Sequence, residues 1–123
     1  MILVDSSVWI DHLRRSDATL SSLLGGGRVL THPFIIGELA MGSLRQRDVI
    51  LSALRDLQQA VAATDGEVFA FIDRHALFGL CIGYIDAHLL AAACLTPHAS
   101  LWTRDKRLHD VAERLGLAAR EDN

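Results

Sequence analysis

Short apolar runs alternate along the chain with longer stretches in which apolar residues return every three or four positions. Ile2 to Val4 reads as a strand. "SSVWIDHLRR" then carries Val8, Ile10 and Leu13 near helical spacing, with Ser6 or Ser7 placed to cap the first turn. "SDATLSSLL" predicts a second short helix that stops at Gly25-Gly26-Gly27, where the chain has room to turn. "RVLTH" predicts the second strand, and Pro33 just after it suits the first position of a helix, where its missing N–H would have no partner anyway.

The alternation continues through the second half. "FIIGELAMGS" and Asp48 to Leu57 read as helices, and "AVAAT" as a short buried strand. Thr64 and Glu67 have capping-box spacing and open a helix holding Val68, Phe69, Phe71 and Ile72, in a region that Gly79 ends. "IGYIDAHLLAAACL" is a helix whose small residues suit close packing on a sheet. "SLWT" is the fourth strand, and "RDKRLHDVAERLG" is a helix with Leu108, Val111, Ala112 and Leu115 on one face and Gly116 as its C-cap. "LAAR" is positioned to add a fifth, edge strand. Strands alternating with helices predict an α/β domain with a short, mostly parallel sheet of four or five strands. With 123 residues and no linker or internal repeat, residues 1–123 are expected to form one domain.

Composition narrows the function classes. Half the residues are hydrophobic and 22% are charged, a globular balance rather than a disordered one. The most apolar stretch, Ile82 to Leu95, is interrupted by Asp86 and His88, well short of the roughly 18 uninterrupted apolar residues of a membrane span. The N-terminus lacks a basic region and meets an acid at position 5, unlike a secretory signal, so a cytoplasmic location is expected. Cys81 and Cys94 lack zinc-site spacing, and their apolar contexts predict buried, inert thiols. The net charge of -3 excludes a protein that coats nucleic acid by bulk electrostatics.

Acids carry the chemical signal. Ligands of an open parallel sheet bind beyond the carboxyl ends of its strands, and two acids fall there. Asp5 follows the first strand directly, and Asp105 lies two residues past Leu101-Trp102-Thr103, in the first turn of the next helix. If those strands are neighbours where the sheet order reverses, both carboxylates point into one crevice. Glu38 and Asp86 stand out because each interrupts an apolar helical surface, where an ionised carboxylate needs a partner. Four carboxylates in one pocket repel one another unless a cation compensates, and an all-oxygen donor set suits Mg²⁺ or Mn²⁺. Metal-assisted phosphodiester hydrolysis follows. Ser6 and Thr103 are candidate hydroxyls for positioning water or phosphate, and also plain helix caps. Asp11 borders the pocket without reaching a metal. The remaining acids, Asp17 and Asp65 among them, read as solvated surface.

Other chemistries fit less well. The six histidines show no H-x-x-x-H or H-E-x-x-H spacing, and His88 faces a different side of its helix from Asp86. Ser6 and Ser7 lack a nucleophile-elbow setting. Two alternatives from other classes stay open: a Mg²⁺-binding phosphoacceptor signalling domain, with Asp65 as acceptor and the lone lysine Lys106, and a catalytically inert binding module on the same scaffold.

"VDSSVWID", "GELAMG", "YIDAHLLAAA" and "LWTRDKRLHDVAERLGL", taken in order and spacing, resemble the PIN-domain ribonuclease toxins of the VapC family essentially end to end. The resemblance implies a three-layer α/β/α domain and a Mg²⁺- or Mn²⁺-dependent endoribonuclease acting on structured RNA, typically tRNA or ribosomal RNA. It places the family's acidic quartet on Asp5, Glu38, Asp86 and Asp105, with Asp5 and Asp86 foremost as metal ligands and Thr103 as the hydroxyl residue before the last acid. It implies a homodimer silenced by a cognate VapB antitoxin in a hetero-oligomer, the antitoxin alone contacting operator DNA. Within the variable stretch Ser43 to Val61, Arg45 and Arg47 are candidate RNA contacts or a solvated helix start. Arg104 is a further candidate RNA contact.

Overall fold

β1 (Ile2–Val4) is the strand on which the sheet is built, and its three residues are all apolar because it is hydrogen-bonded on both sides and covered on both faces. In the computed structural model, which describes residues 1–120, β1 pairs with β2 (Val29–Thr31) and β4 (Ser100–Trp102), and β2 pairs with β3 (Gln58–Gln59). All pairs are parallel and the order is β3-β2-β1-β4. Leu3 lies between Leu30 and Leu101 in register, and this row of leucines, each 1% exposed or less, crosses the centre of the core.

Every crossover is helical, as parallel pairing requires. After β1 come α1 (Ser6–Arg14) and α2 (Ala18–Gly25); after β2, α3 (Pro33–Ala40) and α4 (Arg47–Asp56); after β3, α5 (Asp65–His75) and α6 (Tyr84–Leu95); after β4, α7 (Lys106–Arg114). α1 packs on α3 and α3 on α4, while α5 packs on α6 and both α6 and α7 pack on β4, giving the expected three-layer α/β/α architecture. From Ala87 to Ala93 every residue of α6 is buried, which its alanines permit by letting backbones approach closely. Among the described residues no helix is long and apolar enough to cross a membrane.

Local chemistry fixes the boundaries. Thr64 and Glu67 form the capping box at the start of α5, each side chain bonded to the other's backbone N–H. α7 ends with Gly116 at φ 73°; Leu117 N–H reaches the Ala112 carbonyl at 2.8 Å and Gly116 N–H that of Glu113 at 3.0 Å. Only a left-handed residue closes a helix this way, and glycine adopts that conformation without strain.

Five expectations are corrected. The third strand is Gln58–Gln59, ahead of "AVAAT": it is an exposed edge pair, so alternation of buried side chains does not mark it, and Ala60 and Ala63 are buried as loop residues after it. The fifth strand shrinks to a single parallel bridge between Leu101 and Ala118, because the Gly116 turn returns the tail to β4 for little more than one residue. Asp5, not Ser6 or Ser7, caps α1, and Asp105 caps α7 rather than sitting inside its first turn. Cys81 and Cys94 are exposed, the first in the loop before α6 at φ 60° and the second just past the buried run of α6.

Leu3→Ala is expected to destabilise the protein by about 2–5 kcal/mol, the usual cost of a leucine-sized cavity in a core that cannot collapse around it. Urea denaturation followed by circular dichroism measures this, and an unchanged midpoint would show that β1 is not the centre of packing.

Candidate active site

Asp5 is the residue at which β1 becomes α1. Its backbone N–H still pairs with the Trp102 carbonyl at 2.9 Å, continuing the ladder to β4, while its side chain already caps α1 through Ser7 N–H at 3.4 Å. The carboxylate is 6% exposed, a position that costs heavily unless donors are supplied. Thr103 Oγ1 donates to Oδ2 at 2.8 Å and Ser7 Oγ donates to the same oxygen at 2.7 Å. The two hydroxyls lie 3.3 Å apart, and Ser7 Oγ in turn accepts from Arg104 N–H at 3.0 Å. Among the described residues no donor reaches Oδ1, so one oxygen is anchored and the other is open.

The pairing of β1 with β4 brings the second acid alongside. Asp105 accepts from Leu108 N–H at 3.1 Å, and its own N–H donates to Thr103 Oγ1 at 3.1 Å, so Thr103 links the two strand ends. Asp86 is in the first turn of α6, with Oδ2 accepting from Gly83 N–H at 3.0 Å. Burial raises its pKa above the ordinary aspartate value, and the charges of Asp5 and Asp105 raise it further against the opposing Gly83 bond. Glu38 reaches the same edge from α3: burial, then the charge of Asp5, then that of Asp86 raise its pKa, while a 3.3 Å bond from Ser6 Oγ opposes the shift. Glu38 thus senses the charges of Asp5 and Asp86, and Asp86 those of Asp5 and Asp105, so the sequence quartet gathers at the carboxyl edge of β1 and β4.

Among the described residues no three ligating side chains already converge as a metal-binding group. Burial and the neighbouring charges both disfavour the ionised acids here, as expected of carboxylates without a compensating cation. The donors fit a hard divalent cation: they are all oxygens, the four acids give it charge to neutralise, and among the described residues Oδ1 of Asp5 has no hydrogen-bond donor. Asp5, Asp86, Glu38 and Asp105 are the residues that could hold it.

Of the hydroxyls, Thr103 and Ser7 meet Asp5, while Ser6 serves Glu38. A serine two residues past an aspartate at a strand end is the available signal, since that spacing lets its hydroxyl and N–H return to the carboxylate. Of the arginines, Arg104 pairs with Asp11 at 2.8 Å and Asp17 at 2.9 Å and lies 5.6 Å over the Trp102 ring, and Arg47 donates to the Ala40 carbonyl at 3.1 Å. Asp17, read as a solvated acid, is thus an ion-pair partner, and so is Asp11. Arg45 lines a groove of about 660 Å³ between α1, α3 and the start of α4, with Ile10, Leu13, Leu39 and Ile50. The groove meets the acidic edge only at Glu38, so the four acids sit beside it rather than in it.

Asp65 also departs from its reading. Though largely exposed, it accepts from Tyr84 Oη at 2.6 Å and bonds His88 Nε2 at 3.1 Å through the same oxygen. Those bonds hold its pKa below the ordinary value, and the Tyr84 phenol is pushed up to about 12 by the carboxylate it serves. His88 is buried and faces this cluster, away from Asp86 as the helical spacing predicts. His32, at the end of β2, caps α3 by accepting from Phe34 N–H at 3.0 Å, and burial followed by the nearby His88 pushes its pKa down to about 4.

A parallel-sheet α/β/α domain with a carboxylate quartet at its strand ends defines a class, and the comparisons with known proteins agree with it. The PIN domain family matches residues 2–114. Two relatives, both named Ribonuclease VapC32 and drawn from two strains of Mycobacterium tuberculosis, CDC 1551 / Oshkosh and H37Rv, are 48% identical over 122 residues, covering 99% of this chain and 98% of each relative. The chain belongs to the PIN-domain family and, within it, to the VapC ribonucleases.

The raised pKa of Glu38 predicts a stability effect of definite sign. A carboxyl that holds its proton more tightly folded than unfolded makes stability fall as pH rises through its range. Glu38→Gln, which removes that charge, is expected to raise the melting temperature in metal-free buffer at neutral pH. The gain should shrink as pH falls into the carboxyl range, where Glu38 takes up its own proton. Differential scanning calorimetry across pH checks this, and a lowered melting temperature at neutral pH would show that Glu38 is stabilised, not strained, where it sits.

Proposed function

We propose that the chain is the toxin of a type II toxin–antitoxin pair, a divalent-metal-dependent endoribonuclease that hydrolyses RNA phosphodiester bonds, with tRNA or ribosomal RNA as its substrate class. The observation that supports this best is the buried Asp5 carboxylate, fixed through one oxygen by Thr103 and Ser7 and surrounded by Glu38, Asp86 and Asp105. Bound Mg²⁺ or Mn²⁺ would lower the pKa of water and neutralise charge developing on the phosphate oxygens. Asp5, with Asp86, is proposed to hold the ion. Thr103 and Ser7 keep the Asp5 carboxylate in one orientation, so no reorganisation is needed as the reaction proceeds. Glu38, the acid whose proton is held more tightly than usual beside an open groove, suits proton transfer at the attacked phosphate.

The partner proposed is a VapB-type antitoxin. The groove is lined by Ile10, Leu13, Leu39, Leu44 and Ile50 together with Arg14, Arg45 and Glu38, a lining that suits a segment with an apolar face and a basic residue for Glu38. A homodimer, a toxin–antitoxin hetero-oligomer, a cytoplasmic location and contact with operator DNA only through the antitoxin complete the proposal. The phosphoacceptor alternative draws no support, since the Asp65 oxygen is taken by Tyr84 and His88 and Lys106 pairs with Asp110 at 3.0 Å.

Asp5→Asn is expected to lower RNA cleavage by on the order of a hundredfold or more while preserving the circular dichroism spectrum, and Thr103→Val by about 10–100-fold through loss of the Asp5 anchor. Cleavage is measured on total RNA with Mg²⁺ or Mn²⁺, alongside growth on induction. Wild-type rates from purified Asp5→Asn would refute the assignment.

A further inference from the structure

Asp86 sits in the part of α6 that the helix's own bonds hold least. The first bond of its ladder runs from Ala87 N–H to the Gly83 carbonyl at 3.1 Å, so the N–H groups of Tyr84, Ile85 and Asp86 precede it. Gly83, the N-cap, has no side chain with which to bond back to that turn. An acid that is to meet a metal ion needs a fixed direction, and here the helix end alone does not supply one.

Asp65 holds this turn from the start of α5. Its Oδ1 accepts from Tyr84 Oη at 2.6 Å and from His88 Nε2 at 3.1 Å. The Tyr84 bond and then the His88 bond keep Asp65 ionised, and a carboxylate only accepts, so Nε2 carries the proton of the second bond. Tyr84 and His88 are four residues apart and share one face of α6, while Asp86, midway between them, projects from roughly the opposite side. Two bonds one helical turn apart, ending on a single oxygen, oppose rotation of α6 about its axis.

His88 makes the tie rigid. Its ring is 3% exposed and packs against the Phe34 and Tyr84 rings, with centroids 4.7 Å from each. Among the described residues its Nδ1 has no partner, so the bond to Asp65 is the one hydrogen bond of a buried imidazole. The charges that raise the Asp86 pKa are those of Asp5 and Asp105, not that of Asp65, so the influence of Asp65 passes through the helix rather than through space.

We propose that Asp65 is a positioning residue for the metal site: by holding Tyr84 and His88 it fixes the rotation of α6, and with it the direction in which Asp86 meets a divalent cation. The inference rests on the metal-dependent reading above and adds to it a residue of α5 outside the acidic quartet.

The test is calorimetric titration of the purified chain with Mn²⁺, with thermal melts in metal-free buffer establishing that each variant is folded. Asp65→Ala, which removes both bonds, is expected to weaken Mn²⁺ binding about tenfold, the scale of losing a partner that orients a metal ligand. Asp65→Asn should restore wild-type affinity, because an amide oxygen can accept both bonds without the charge. Tyr84→Phe, which keeps the ring and removes one bond, should fall between Asp65→Ala and wild type. In an Asp86→Asn background, Asp65→Ala should shift the affinity by less than about twofold, since the acid that the tie directs is gone. A merely structural role for Asp65 predicts the same loss with or without Asp86. Wild-type affinity in folded Asp65→Ala, failure of Asp65→Asn to restore it, or an equal loss in the Asp86→Asn background would each overturn the tie. If Asp65→Ala does not melt cooperatively, Tyr84→Phe decides: weakened binding supports the tie and wild-type affinity overturns it. A wild-type chain that binds Mn²⁺ with Asp65→Ala unaffected defeats the tie alone, whereas a wild-type chain that binds none defeats the metal reading beneath it and the tie with it.

Discussion

Repulsion among Asp5, Glu38, Asp86 and Asp105 is the constraint on which the rest of the structure depends. Bringing these carboxylates to one half-buried edge raises the energy of the folded state: burial first, and the charges of neighbouring acids after it, raise the pKa values of Glu38 and Asp86. The core that tolerates this is the leucine row through β1, β2 and β4, and its register places Asp5 and Asp105 side by side. Packing and chemistry are therefore coupled at β1. The strand is apolar up to Val4 because it must be buried, and its next residue is an acid because that is where the sheet opens.

Hydroxyls handle the burial of Asp5. Thr103 and Ser7 both donate to Oδ2, so the charge is satisfied on one side only, and Thr103 also accepts from Asp105 N–H. A lysine or arginine in their place would neutralise the carboxylate and compete with any metal. Hydroxyls orient it and leave its charge available. Arg104 is the nearby cation that could have played that part, and Asp11 and Asp17 draw it to the outside of α1 and α2. Acids that looked incidental in the sequence thus protect the charge of the site by occupying its arginine.

Most of the fold was legible because burial leaves a periodic trace. β1, β2 and β4 were marked by apolar runs, and α5 and α7 by their caps. β3 was missed because an edge pair of exposed glutamines bears no such trace, and the tail strand was overestimated because pairing there depends on where the Gly116 turn returns the chain. The four acids could be found individually, two by position after strands and two by interrupting apolar faces. Their approach to one edge required the parallel pairing of β1 with β4 and the packing of α6 on β4, which spacing does not encode. Which of the adjacent serines serves Asp5 and which Glu38 could not be read, because the two differ only in direction from the helix start, which sequence does not resolve. The Asp65–Tyr84–His88 cluster depends on contact between α5 and α6 across 23 positions, and helical periodicity within either segment is silent about it.

If uncompensated carboxylates at the carboxyl edge form one cation site anchored on Asp5, titration of the purified protein with Mn²⁺, with free ion followed by electron paramagnetic resonance, tests that most directly. The account predicts saturable binding by the wild-type chain that is lost in Asp5→Asn and weakened in Asp86→Asn, with Asp65→Asn unaffected. Binding that survives Asp5→Asn unchanged would contradict it.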